Sequence, residues 1–150
     1  MSKYRLNSHE LTAYMVKDPF IRKFFGGVLA IDELEYIVPE PKIYIINTDP
    51  RHEAGEHWFS MFLLDTPEHF DSSGYKPKPN VANYLMFHGP EYLFNTRRVQ
   101  SFLSETCGVF CLFYCYFRCR GHSFSDVMNM FSDNLLMNEA IVKHFYEETK

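Results

Sequence analysis

Gln100-Ser-Phe-Leu-Ser-Glu-Thr-Cys107-Gly-Val-Phe-Cys111-Leu-Phe-Tyr-Cys115-Tyr-Phe-Arg-Cys119 is the stretch that decides the fold of this chain. It holds all four cysteines of the sequence and joins a polar turn to an apolar run at Cys107-Gly108. The run predicts a buried helix from Cys107 to about Arg120, closed by Gly121. A cysteine in the first turn of a helix faces unsatisfied backbone N–H groups and the positive end of the helix dipole, which favour thiolate over thiol. Cys111, Cys115 and Cys119 lie deeper in the apolar run and read as core. One cysteine is thereby set apart by its surroundings, not by its type.

The constant spacing of four also invites a metal reading. On a helix each step of four advances about 400°, so the sulfurs drift around the axis and cannot converge on one ion. Disulfides within one helix fail for a similar reason, because side chains a turn apart do not meet the required geometry. No metal is assigned.

A partner for Cys107 is found in Ile43-Tyr-Ile-Ile46-Asn47-Thr48, a polar loop ending Gly55-Glu56, then His57-Trp58 and a second apolar run to Leu64. The pattern predicts strands near 43–48 and 57–65. A histidine at the mouth of a buried strand is held rigidly yet stays near solvent, which suits a general base. A further short strand at 68–71 would end in Asp71, placed to orient that imidazole; Asp65 and Glu68 are the other carboxyls within reach. His52-Glu53-Ala-Gly55-Glu56-His57 superficially suggests the zinc motif H-E-x-x-H. Its histidines are one residue out of register for a shared helix face, and Gly55 argues against a helix.

Taken together, Asn47-Thr48, Gly55-Glu56-His57-Trp58 with an apolar strand after it, Phe70-Asp71 before a glycine turn, Gln100-Ser101 and Thr106-Cys107-Gly108-Val-Phe-Cys111 resemble the adenovirus protease (adenain) family. The resemblance runs from about Phe20 to Phe117, and it identifies His57, Asp71, Gln100 and Cys107 as histidine, acid, oxyanion donor and nucleophile. It implies an α+β fold with a central mixed sheet flanked by helices, like that shared by adenains and SUMO proteases. It also implies a cysteine endopeptidase cutting viral precursor proteins near small, glycine-type residues during virion maturation, in the host nucleus and the virion. Adenains use an activating viral peptide and DNA as cofactors. Here no cysteine outside 107–119 could receive a peptide disulfide, and the sequence itself requires no cofactor. Two rival functions remain open at this level: an isopeptidase of ubiquitin-like modifiers, which shares the His-Asp-Gln-Cys order, and a non-catalytic interaction module on the same fold.

Composition agrees with one small enzyme domain over 1–150. Aromatic residues make up 17% of the chain, with fifteen Phe and ten Tyr to fill a bulky core. The net charge of −4 and the small basic clusters Lys76/Lys78, Arg97/Arg98 and Arg118/Arg120 give no strong nucleic-acid footprint. No apolar run is long enough to span a membrane, and unpaired cysteines place the chain in a reducing intracellular compartment. Around the core motif, Asn7 with Glu10 predicts a capped helix to Lys17, stopped by Asp18-Pro19. A strand is expected near 92–96 and a helix from a cap at Asn80 to His88. Two helices are expected at 124–131 and 134–147.

Overall fold

The computed structural model describes residues 2–38, 40–49 and 57–150. It opens with α1 (Ser8–Lys17), a short α2 (Pro19–Arg22) and β1 (Phe25–Ala30), followed by a 3-10 turn. Then come β2 (Lys42–Asn47), β3 (Trp58–Leu63), β4 (Glu68–Phe70), α3 (Pro79–His88) and β5 (Leu93–Phe94). The chain continues through α4 (Cys107–Cys119), α5 (Phe124–Asn129) and α6 (Leu135–Thr149). The strands form one mixed sheet in chain order; β2, β3 and β4 pair antiparallel, while β1 and β5 join the edges in parallel.

Strand residues alternate between the two faces, and each face is covered differently. Ile43, Ile45, Phe62 and Phe70 point to the larger core, built with α1, α2 and α4 to α6. Tyr44, Ile46, Phe59, Met61 and Leu63 point to a smaller core under α3. The helix α4 lies between β3 and α6, so it is apolar nearly all round, and Val109 to Cys115 are buried without a break. Its far end is tied to the sheet by Glu68 on β4, which accepts from Arg118 Nε at 2.8 Å and from Tyr114 Oη at 2.7 Å.

Several sequence expectations are met closely. Asn7 caps α1 with a reciprocal Glu10 bond, and Gly121 follows α4 with φ +95°. Others shift. The α3 helix starts on Pro79, with Lys78 as cap, because proline tolerates a first-turn position that needs no N–H; Asn80 lies inside the helix. Neither α2 nor β1 was anticipated. Asp18 is more than a helix breaker, since its side chain accepts from the N–H groups of Phe20 and Ile21 and pairs with Arg120 at 2.6 Å. The expected strand at 92–96 is only the two-residue β5.

Candidate active site

His57 immediately precedes β3, and the pairing of β3 with β2 and β4 fixes where its ring can reach. The Asn47–Trp58 register and the bond from Thr48 N to His57 O hold the histidine at the sheet's end. Asp71 directly follows β4, the next strand over. The two side chains meet at 2.8 Å between His57 Nε2 and Asp71 Oδ1. Asp71 is 4% exposed and is held independently: its Oδ1 also accepts from Ser73 N at 2.8 Å. The Asn95 side chain accepts from its N–H and donates to its carbonyl.

Cys107 arrives from the opposite direction, as the first residue of α4. Its side chain shares the cleft wall with the His57 ring and acts on it electrostatically, and the Trp58 backbone N–H donates to its Sγ at 3.5 Å. Burial alone would lower the His57 pKa; the hydrogen bonds and charges of Asp71 and Cys107 outweigh it and raise the value to about 10. An imidazolium is therefore stable at this position across the neutral range.

His57 and Cys107 line a cleft of about 590 Å³ with Asn47, Trp58, Gln100, Ser104 and the N-terminal segment Arg5 to Ser8, while Asp71 stands behind the His57 ring and lines a neighbouring pocket. Trp58 serves both cleft and core, and its Nε1–H donates to Leu6 O at 3.3 Å. Packing at the helix start is close: a Cβ on Gly108 would lie 3.3 Å from a Leu11 methyl and 3.5 Å from the Trp58 ring. Gln100, 3% exposed, forms part of the wall. Its carbonyl oxygen accepts from the Ser72 hydroxyl at 2.5 Å, and its Nε2 donates to Ser104 O at 3.1 Å and Ser104 Oγ at 2.8 Å.

The structure therefore brings His57, Gln100 and Cys107 to one cleft, with Asp71 bonded to the His57 ring from behind. It takes the two other carboxyls elsewhere. Glu68 is buried against Arg118 and Tyr114 on the α4 side of the sheet, and Asp65 is exposed beside Leu63, Leu64 and His88 near the far end of β3. The segment His52-Glu53-Ala-Gly55-Glu56 lies outside the described residues. Cys107 is only 8% exposed, less open than a helix start suggests, because Trp58 and the N-terminal segment pack around it. Cys111 and Cys115 are fully buried, and burial pushes the Cys119 thiol up to about 12. Thr106, at the position before α4, makes no side-chain cap to the helix and donates its hydroxyl to Glu139. Asn95, Ser72, Ser104 and Glu139 all support this cleft and were missed, because each reaches it through space from a segment with no motif of its own.

The basic clusters are largely spent inside the molecule. Arg97 donates to the carbonyls of Met128, Phe131 and Ser132, Arg98 to Gln100 O, Arg118 to Glu68 and Arg120 to Asp18. Arg98 also lies over the Phe102 ring at 4.0 Å.

The architecture has known counterparts. The crystal structure of the ASFV pS273R protease matches with a TM-score of 0.59, at 17% identity, over 94% of this chain and 65% of that one. The chain has an adenain-like protease fold. The selenomethionine structure of the same ASFV protease matches over 67% of this chain and 43% of that one, with 22% identity and a TM-score of 0.43. In sequence, the protease of Bovine adenovirus 4 is 30% identical in an alignment 101 positions long that covers 55% of this chain and 50% of that protein. The chain thus spans about half the length of the curated relative it matches. No family model matches it.

Proposed function

We propose that the chain is a cysteine endopeptidase in which Cys107, His57 and Asp71 act as a triad and Gln100 supplies an oxyanion donor. The observation that carries this reading is His57 held between Asp71 and Cys107 on the wall of an open cleft. The Cys107 thiolate attacks the scissile carbonyl carbon, and the carbonyl electrons move onto oxygen. That oxyanion lies at the start of α4, where the first N–H groups of a helix have no intrahelical acceptor, and beside the Gln100 amide. His57, as imidazolium, gives its proton to the leaving amine and then takes one from the water that releases the acyl group. Asp71 fixes the ring and stabilises its charge.

The protease of Bovine adenovirus 4 and the family resemblance support viral precursor polypeptides as substrates, cut near glycine-type residues during particle maturation. Internal use of Arg97, Arg118 and Arg120 supports weak stimulation by DNA. An activating peptide would bind without a disulfide, since all four cysteines lie within α4 and are buried.

The test is incubation with a panel of Gly-Gly and Gly-Ala peptides, read by mass spectrometry. Cleavage by the native protein and none by Cys107→Ala is the expected result. Processing confined to a ubiquitin-like C-terminal probe would replace this reading with an isopeptidase, and loss of no activity in Cys107→Ala would remove the nucleophile.

A further inference from the structure

Gln100 and Cys107 bracket a segment with no regular secondary structure, and something must hold its two ends at a fixed spacing. The segment has little internal support. Phe102 and Leu103 point into solvent, and Leu103 adopts φ +66°, a left-handed conformation that is costly for a side-chain-bearing residue. Its support comes from α6. Glu139, 5% exposed, accepts from Ser101 N at 3.0 Å, from the Ser104 hydroxyl at 3.3 Å and from the Thr106 hydroxyl at 2.7 Å. One carboxyl group thus ties the first, middle and last residues of the 101–106 segment. The adjacent Asn138 extends the attachment, donating to Val99 O at 3.0 Å and to Ser132 O at 2.8 Å.

The chain of contacts leads to the reacting groups. Glu139 holds Ser104; Ser104 accepts both contacts from the Gln100 amide; Thr106, also held by Glu139, is the residue from which α4 and Cys107 start. We infer that Glu139 is a positioning residue for the reaction, setting the placement of the Gln100 donor relative to the Cys107 sulfur. The inference rests on the proposed peptidase function. Glu139 touches neither substrate nor the reacting atoms, so its effect passes through Gln100.

That dependence gives a test which a merely structural role would not satisfy. Glu139→Gln keeps the size of the side chain but turns an amide toward donors that need an acceptor. With active sites counted by thiol titration, this variant is expected to lose about tenfold in kcat with KM little changed. In a Gln100→Ala background the same substitution should cost less than about twofold, because the group it positions is already gone. Ser104→Ala, at a half-buried position between Gln100 and Glu139, tests the same link should Glu139→Gln fail to fold, and it should show the same dependence on Gln100. Equal losses in both backgrounds, or no loss in either variant, overturns the inference while leaving the peptidase reading intact. A native protein that cleaves no peptide overturns both.

Discussion

Replacing Asp71 with Asn removes a charge while leaving the geometry in place, and the structure says how much should be lost. Asp71 Oδ1 accepts from His57 Nε2 and from Ser73 N, both at 2.8 Å, and the backbone of residue 71 is separately held by Asn95. An asparagine oxygen can keep both side-chain contacts, so the fold and the ring orientation survive. What disappears is the carboxylate opposite a mostly buried imidazolium. A hydrogen bond to a charged group contributes about 1.5–3 kcal/mol and a neutral one about 0.5–1.5 kcal/mol, so the loss should be about 1–2 kcal/mol. That corresponds to a fall in kcat/KM of about 5–30-fold. The same substitution removes the first of the contributions that raise the His57 pKa, so the value should drop below about 10 while the Cys107 contribution remains. Turnover per titrated thiol gives the first quantity, and NMR titration of the His57 ring gives the second. A variant that keeps kcat/KM within about twofold of native and still titrates near the native value would refute the assignment of Asp71.

Gln100→Ala should lower turnover by about 10²–10³ while leaving the alkylation rate of Cys107 nearly unchanged, because an oxyanion donor acts after the sulfur attacks; equal loss in both assays would place Gln100 in thiol activation instead. Glu68→Gln leaves Arg118 without its buried partner and should cost about 3 kcal/mol of stability by chemical denaturation, with kcat per titrated site unchanged. A collapse of kcat in that variant would make Glu68 the third member of the triad. Brief iodoacetamide treatment of the native protein should label Cys107 first, since Cys111 and Cys115 are fully buried with thiols pushed well up by burial, and Cys119 is raised to about 12; peptide mapping reads the outcome. The raised His57 pKa makes folding favour proton uptake. Relative to His57→Gln, the native protein should keep a constant stability advantage below about pH 6.5 and lose it as pH rises toward about 10, which denaturation at several pH values measures.

The features that sequence revealed are those encoded within a few residues. The Asn7-Glu10 cap, the alternation through Ile43 to Ile46 and the apolar run after Cys107 each carry their own local physical signal. The β1 strand carries none, since Gly26 and Gly27 interrupt its pattern. Gly26 is needed there: a Cβ would lie 2.5 Å from the Tyr44 ring on the neighbouring strand. The site divides in the same way. His57 and Cys107 stand at element boundaries that the sequence marks, and Asp71 directly follows a short strand and is one of three nearby carboxyls. Choosing between them required the sheet register, which sends Glu68 to the α4 side and leaves Asp65 near the other end of β3. Asn95 and Glu139 depend wholly on tertiary packing, and an asparagine or glutamate in isolation says nothing about what it will hold.

The placement of the cleft also bears on how a cell could make such a protein safely. Cys107 opens a helix that is buried against the sheet, His57 and Asp71 flank the neighbouring strands β3 and β4, and the segment beside Cys107 is tied from α6. These contacts join parts of the chain far apart in sequence, and contacts of that kind form late in folding. A growing chain that has emerged only through Cys107 holds His57, Asp71 and Cys107 and none of the α6 support. Under the proposed function, cutting would therefore wait for α6 to pack beside the nucleophile, a delay set by the topology of the fold.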